Sequence, residues 1–240
     1  MKIFIQIFFY LAVVKGYTQN INITYVIDKG AKDFHGQHTK HTYEAALSIL
    51  GDESFYKPVG EFKEKEEISL LYNEKDKETG YTYTSNIWQT IQNTYIEYYF
   101  NHKKKEQISL IRKEKAYLIK EPLEPIHWKI TTTKKLLENY VCTKAIGKIE
   151  NHFVVAWFAP KITTMAGPEG YHGLPGLILM IEKPDQSTIR MKSIVFDSIK
   201  AKKLTPPSKG VLIERAAFET IQKEQDEKQA IQDATNFFND

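Results

Sequence analysis

Three histidines spaced three residues apart, His35, His38 and His41, are the first candidates for chemistry in this chain. On a helix, side chains at this spacing lie on one side, where their imidazole nitrogens could approach a single metal ion. The surrounding residues 29–42 are polar, which also fits a solvated loop with scattered histidines. We predict that these residues hold no high-affinity metal ion, with a three-imidazole metal site as the alternative.

Cys142, His152 and His172 form the second candidate group. A cysteine nucleophile needs a histidine within hydrogen-bonding reach and a third group that orients the histidine. If residues 140–146 and 152–158 form a hairpin, Cys142 and His152 could lie near each other. No nucleophile signature surrounds Cys142, and a free cysteine usually packs as a small hydrophobic residue. We therefore predict a buried structural thiol and no catalytic residues.

Cofactor binding and nucleic-acid binding are not indicated. Gly173 and Gly176 have neither the spacing nor the lysine of a phosphate-binding loop, so we expect no cofactor. The chain carries 33 basic and 30 acidic residues, and without Lys2 and Lys15 of the N-terminal segment the net charge is +1. A nucleic-acid-binding protein normally has a larger basic excess, so we expect no nucleic-acid partner.

The first 18 residues have the pattern of a cleaved signal peptide. Lys2 precedes an apolar run over residues 3–14, and the small residues Gly16 and Thr18 precede the expected cleavage site. A run of about 12 residues suits a signal-peptide core, whereas a spanning helix needs roughly 20. We predict export and a mature chain without a transmembrane segment, with an uncleaved first strand or helix as the alternative.

Alternating apolar and polar residues predict one mainly β (α+β) domain over residues 19–240. The first such run, at residues 21–27, is apolar at every second position, as half-buried strands are. Further short runs rich in Tyr, Thr and Ile follow at a spacing typical of an antiparallel meander. They lie at residues 43–50, 68–72, 81–87, 94–100, 107–112, 116–120, 128–132, 140–146, 152–158, 176–182 and 188–196.

The segments between these runs complete the predicted architecture. We interpret residues 29–42 as a loop or short helix and residues 56–67 as an exposed loop. Pro206-Pro207 should end the sheet, and Ser208 is the predicted N-cap of a C-terminal helix at about residues 208–236. The expected fold is a single curved antiparallel sheet, with an open half-barrel as one form that such a sheet takes, followed by this helix.

Residues 173–178, with the sequence Gly-Leu-Pro-Gly-Leu-Ile, form the most distinctive motif. Glycine adopts backbone angles closed to other residues and proline fixes its own φ, so we predict a sharp turn that delivers a buried strand. The motif residues are Gly173, Leu174, Pro175, Gly176, Leu177 and Ile178, preceded by Trp157, Gly167 and Pro168.

The motif block, residues 128–182, resembles the GLPGLI family of envelope proteins, which is named after this hexapeptide. The resemblance rests on Trp128, residues 140–145, Trp157, the Gly167-Pro168 pair and the intact hexapeptide, in that order. It implies export across the inner membrane of Gram-negative bacteria of the Bacteroidetes type, and a periplasmic or outer-membrane-associated location. Members of the family often occur near outer-membrane transport components, and the resemblance implies no catalytic residue.

Two functions from different classes follow from these observations. The preferred hypothesis is a non-enzymatic envelope protein whose curved sheet binds an apolar ligand such as a lipid, a peptide or a partner protein of the envelope. The alternative is a metal- or thiol-dependent periplasmic hydrolase that uses the His35–His41 segment or Cys142. A deep pocket with convergent titratable groups would favour the hydrolase, and an apolar trough without them would favour the binding protein.

Overall fold

The computed structural model describes residues 20–32, 38–59, 95–112, 115–149, 152–197 and 203–239. These residues form twelve strands, a 3-10 turn at Pro168–Gly170 and one α-helix, α1 (Arg215–Asn239). The strands are β1 (Asn20–Lys32), β2 (His38–Leu50), β3 (Glu53–Pro58), β4 (Tyr95–Asn101), β5 (Glu106–Arg112), β6 (Ala116–Pro122), β7 (Trp128–Leu137), β8 (Tyr140–Ile149), β9 (His152–Ala159), β10 (Leu177–Glu182), β11 (Thr188–Asp197) and β12 (Val211–Leu212). The predicted signal peptide, the strands predicted at 68–72 and 81–87, and His35 lie outside the described residues.

All twelve strands belong to one open sheet, in the order β12-β6-β5-β4-β3-β2-β1-β11-β10-β9-β8-β7. The described pairings are antiparallel, except that β12 runs parallel to β6. The predicted mainly β fold, with one sheet and a C-terminal helix, is therefore confirmed. The sheet is mixed rather than wholly antiparallel because residues 211–212 add to the β6 edge before α1 begins.

The sheet is strongly curved. In a flat sheet β4 and β7, eight positions apart in the strand order, would lie about 38 Å apart. His172 nevertheless contacts both strands. Its ring centroid lies 5.5 Å from that of Phe100 on β4, and its carbonyl oxygen accepts a 2.8 Å hydrogen bond from the Trp128 indole on β7. The two ends of the sheet therefore bend towards the same side, which we call the inner face; the opposite side is the outer face.

Side chains alternate between the two faces, and those on the inner face form the main core. On β1 the four apolar residues at odd positions from 21 to 27 are each at most 3% exposed, as the period of two in the sequence predicts. The Tyr25 hydroxyl donates a buried 2.6 Å hydrogen bond to the Ile178 carbonyl oxygen. This bond ties β1 to β10 across the intervening strand β11.

The loop or short helix predicted at residues 29–42 is wrong for the part of this segment that the structure describes. β1 continues to Lys32, β2 begins at His38, and the two strands keep their antiparallel register up to that pair of residues. A polar segment can form such strands because the hydrogen bonds of the ladder join backbone groups. The exposed loop predicted from residue 56 is also wrong at its start, since Tyr56 lies in β3 and is 2% exposed.

The C-terminal helix begins at Arg215, seven residues later than the predicted start at Ser208. Residues 211–212 form β12 instead, because they pair with the edge strand β6. At the start of α1, Arg215 pairs with Glu121 of β6, and Phe218 packs into a small second core between α1, β5 and β6. Within the described ranges no helix is both long enough and apolar enough to cross a membrane.

Candidate functional site

The motif loop, which we define as residues 160–176 between β9 and β10, folds back over the inner face of the sheet. Ile162, Ala166 and Leu174 are 5%, 1% and 1% exposed and belong to the main core. The Leu177 amide donates a 3.1 Å hydrogen bond to the Ile162 carbonyl oxygen and fixes the loop against the start of β10. The motif loop therefore covers this part of the inner face and, among the described residues, leaves no open apolar trough there.

Two glycines of the hexapeptide adopt backbone angles that other residues rarely adopt. Gly173 has a φ of 89° and Gly176 a φ of 152°. A Cβ atom at Gly176 would lie 2.4 Å from the Ala159 carbonyl oxygen, whereas a Cβ atom at Gly173 would meet nothing closer than 3.9 Å. The sharp turn expected from the sequence is present, and Gly176 is the position at which there is no room for a side chain.

The other hexapeptide residues contribute packing. Leu174, Leu177 and Ile178 are at most 1% exposed, and Pro175 lies exposed between them. None of these side chains carries a titratable group, so the hexapeptide acts through backbone geometry and burial.

The motif residues outside the hexapeptide lie on different sides of the sheet. Gly167 packs tightly in the loop, since a Cβ atom there would lie 2.6 Å from the Tyr171 carbonyl oxygen. Pro168 opens the 3-10 turn. Trp157 is 8% exposed, and its indole donates a 3.2 Å hydrogen bond to Glu182. These residues do not converge on one site.

Glu169 carries a carboxylate into the inner face from the tip of the motif loop. Its backbone is left-handed, with φ 45° and ψ 36°, a conformation that costs a non-glycine residue roughly 1–2 kcal/mol. The carboxylate accepts a 2.5 Å hydrogen bond from the Lys183 ammonium group and a 3.3 Å hydrogen bond from the Tyr43 hydroxyl. The side chains of Glu169 and Lys183 are 18% and 20% exposed, so the ion pair is shielded but still reached by solvent.

Four tyrosines lie around this carboxylate, and we call them the tyrosine cluster: Tyr43 on β2, Tyr56 on β3, Tyr98 on β4 and Tyr171 in the motif loop. Burial raises the pKa of each hydroxyl, and the negative charge of Glu169 raises it further. The phenols therefore stay protonated at neutral pH and can donate hydrogen bonds. The buried Tyr56 hydroxyl has no partner among the described residues, which is rare in proteins and marks the cluster as a functional candidate.

A second ion pair borders the tyrosine cluster at the start of α1. The Arg215 guanidinium donates two hydrogen bonds to the Glu121 carboxylate, one of them 3.1 Å long from Nε, and the Gln107 amide donates a third of 2.9 Å. The bonds to Glu121 raise the pKa of Arg215, and both charges act on Tyr98. Because each carboxylate is matched by a cation, the region suits recognition of a polar partner better than proton transfer.

His172 holds the motif loop to residues 123–127, which connect β6 to β7. Its Nδ1 lies 2.8 Å from the Gly170 carbonyl oxygen, and its Nε2 lies 3.1 Å from the Glu124 carbonyl oxygen. Carbonyl oxygens only accept hydrogen bonds, so both bonds form together only when both ring nitrogens carry protons. The His102 ring centroid is 5.9 Å away, and burial, followed by the charge of His172, lowers the pKa of His102. Protonation of His102 is therefore disfavoured in the folded protein.

The thiol site considered from the sequence is not assembled. β8 and β9 do form a hairpin, but its register pairs His152 with Ile149, seven residues and about 23 Å along the strand from Cys142. His172 lies in the motif loop on the inner face. Cys142 is 0% exposed, and burial raises the pKa of its thiol to about 11, so little thiolate exists at neutral pH. Cys142 is a buried thiol, as predicted.

The metal site considered for His35, His38 and His41 depended on a helix. His38 and His41 lie in β2, so the helix on which the imidazoles would share one side is not present at these two residues. His35 lies outside the described residues. Across the described ranges, no group of three or more His, Cys, Asp and Glu side chains is placed to hold a metal ion.

The sequence pattern does not reveal the tyrosine cluster. Tyr43 and Glu169, which share a hydrogen bond, are 126 positions apart. The available local signal was Glu169 itself, a carboxylate set between Pro168 and Gly170 in an otherwise uncharged turn. The Pro-Glu-Gly sequence predicts a turn, but it does not predict which strand the Glu169 carboxylate contacts.

Residues 148–180 match a family described as a protein of unknown function, Porph_ging. The match overlaps the motif block and contains the whole hexapeptide. Its description is not that of the GLPGLI family, so the resemblance to GLPGLI proteins stays a prediction. No curated protein matches the sequence.

Two crystal structures of PNGF-II, in the space groups P21 and C2, have a similar fold. The TM-scores are 0.55 and 0.50, with 13% and 14% sequence identity. The alignments cover 84% and 82% of this chain but only 32% and 31% of the PNGF-II chains. This chain therefore spans about a third of the length of the solved structures that it matches. At this identity the likeness concerns the fold alone.

We predict that Gly176→Ala destabilises the protein by about 3 kcal/mol, because the new Cβ atom meets the Ala159 backbone and the φ is unfavourable. Gly173→Ala is the matched control. It has the unfavourable φ without the close contact and should cost about 1–2 kcal/mol. Urea unfolding of both variants measures the difference. Equal losses of stability would show that the approach to Ala159 is unimportant.

We also predict that protonation of His102 destabilises the fold. Because the pKa of His102 is lowered in the folded state, the unfolded chain takes up the proton at a higher pH. The stabilisation is therefore complete above about pH 6.5 and is lost as the pH falls below that value. In His102→Gln the melting temperature should depend less on pH in this range. His152→Gln, a change at an exposed histidine, serves as control, and identical profiles for wild type and His102→Gln would contradict the prediction.

Proposed function

We propose that the chain is an exported, non-enzymatic protein of the cell envelope, and that the tyrosine cluster binds a peptide or protein partner. The observation that carries this proposal is the arrangement around Glu169. A shielded carboxylate, held in a left-handed turn, lies among four tyrosines with the ammonium group of Lys183 beside it. The Glu169 carboxylate is already paired with the Lys183 ammonium group, so a partner can bind beside it without changing either charge.

The filled inner face favours a peptide or protein over a lipid as the occupant of this side of the sheet. A bound acyl chain needs apolar surface, but Ile162, Ala166 and Leu174 of the motif loop already cover the main core. The neighbouring part of the inner face is polar, with Tyr98, Gln107 and the Glu121–Arg215 ion pair.

The residue types of the cluster support the same partner class. Tyrosine and arginine are enriched in protein–protein interfaces, where they supply contact area together with hydrogen bonds. The carboxylates of Glu169 and Glu121 are already paired, so a partner can bind there without leaving a buried charge unmatched.

Export and an envelope location are supported by the N-terminal sequence and by the resemblance described above. Residues 1–18 combine a basic start, a short apolar run and small residues, as signal peptides do. A periplasmic or outer-membrane-associated protein with a partner-binding face suits a role linked to outer-membrane transport. The alternative hydrolase gains no support from Cys142, whose thiol is buried far from His152.

Photo-crosslinking in the native envelope tests this proposal. Tyr171 is replaced by p-benzoylphenylalanine, which keeps an aromatic ring at the cluster. We expect an adduct that contains a polypeptide, that excess wild-type protein suppresses, and that the additional change Tyr98→Ala reduces at least about fivefold, as loss of an interface tyrosine does. The same photo-reactive residue at Phe196 is the control, since Phe196 is an exposed aromatic about 20 Å along the strands from the level of Tyr43.

Three outcomes would contradict the proposal. One is an equal adduct yield at positions 171 and 196, which would indicate random collision. Another is an adduct that contains lipid and no polypeptide. The third is full adduct yield in the Tyr98→Ala background, which would place the contact outside the tyrosine cluster.

A further inference from the structure

Strands β7, β8 and β9, at one edge of the sheet, carry five lysines and no aspartate or glutamate, and Glu138 lies in the turn between β7 and β8. The lysines are Lys129, Lys134, Lys135, Lys144 and Lys148. The whole chain is nearly balanced in charge, with 33 basic and 30 acidic residues. Positive charge is therefore concentrated locally at this edge, although the chain as a whole is nearly neutral.

Four of these lysines share the outer face, opposite the tyrosine cluster. Residues paired on neighbouring strands point to the same face of the sheet. One such series of partners runs from β8 to β1 through Lys144, Trp157, Met180, Arg190 and Val26. Val26 follows Tyr25 on β1, and successive residues of a strand point to opposite faces. Because Tyr25 belongs to the core of the inner face, Lys144 lies on the outer face.

The same register brings the other lysines next to Lys144. Lys129 pairs with Ile146, so that Lys144 and Lys148 are its diagonal neighbours, at about 7–8 Å. Lys135 lies on the same face farther along β7, opposite Cys142. We call Lys129, Lys135, Lys144 and Lys148 the basic face.

Most of this charge is not neutralised within the chain. The Lys135 ammonium group lies 4.0 Å from the Glu182 carboxylate and above the Trp157 ring. In the part of the chain that the structure describes, Lys129, Lys144 and Lys148 form no ion pair. Like charges on neighbouring strands repel and cost folding free energy, and an anionic partner would relieve that repulsion.

An exposed aromatic side chain lies beside these charges. Phe153 on β9 is the cross-strand partner of Lys148 and is 63% exposed. Lysines with long aliphatic stems next to an exposed phenylalanine form the combination found where proteins rest on lipid headgroups.

We infer that the basic face, together with Phe153, docks onto a membrane surface rich in anionic headgroups. Each lysine near such a surface is attracted by its negative potential, and the phenylalanine can enter the headgroup layer. An acidic protein fits less well, because protein–protein interfaces are depleted in lysine, and β7, β8 and β9 offer no arginine for paired contacts with carboxylates. The inference does not depend on the tyrosine cluster, which lies on the other face.

Vesicle flotation with the purified protein tests this inference. Vesicles of phosphatidylcholine alone are compared with vesicles that also contain phosphatidylglycerol. We expect binding to the anionic vesicles only, and weaker binding at high salt. Each lysine contributes a factor of about five, so the triple variant Lys129→Gln, Lys144→Gln, Lys148→Gln should lower the partition coefficient on the order of 100-fold.

A matched control removes the same charge elsewhere. Lys103, Lys104 and Lys105 are exposed in the turn between β4 and β5, and their triple change to glutamine should leave the partition coefficient within about twofold of wild type if general charge is unimportant. Phe153→Ser should weaken binding without altering its dependence on salt. Melting temperatures of all variants show whether folding has changed.

The inference is overturned if both triple variants lose binding equally, if the basic-face variant binds like wild type, or if neutral vesicles bind as well as anionic ones. Absence of vesicle binding would overturn it too. In that case, binding to a polyglutamate peptide that depends on Lys129, Lys144 and Lys148 would identify an acidic protein as the partner.

Discussion

The buried hydrogen bond between the Tyr25 hydroxyl and the Ile178 carbonyl oxygen links β1, across β11, to the strand that follows the motif loop. An open, curved sheet leaves its apolar inner face exposed to water unless another element covers it. The position of β10 makes residues 160–176 return across that face, and their apolar side chains complete the core. Loss of the hydrogen bond would remove a partner from the buried Tyr25 hydroxyl, so polar and apolar interactions favour the same chain path.

The motif loop also places the polar groups of the inner face. Its apolar residues anchor it, and its tip carries Glu169 to tyrosines from three strands. A carboxylate in such surroundings is tolerated because Lys183 neutralises it and Tyr43 donates a hydrogen bond to it. Through His172 the same loop contacts residues 123–127, so the geometry of the cluster and the join between β6 and β7 depend on one segment.

The two faces of the sheet differ in how their charges are arranged. Around the tyrosine cluster on the inner face, the described charges include the pairs Glu169–Lys183 and Glu121–Arg215, which a partner can approach without a large desolvation cost. On the outer face, at the β7 edge, lysines accumulate without acidic neighbours on the same strands. This division suits a protein that rests on a charged surface with one side and presents the other side to a partner.

Local patterns in the sequence were sufficient to predict the strand at residues 21–27, the turn at the hexapeptide and the mainly β class, because these features depend on the alternation of neighbouring residues and on glycine geometry. They failed at residues 211–212 and at the ends of β1 and β2, where pairing with another strand overrides local preference. The meeting of Tyr43 with Glu169 follows from strand order and curvature. Those properties arise from contacts between distant segments, so no local pattern encodes them.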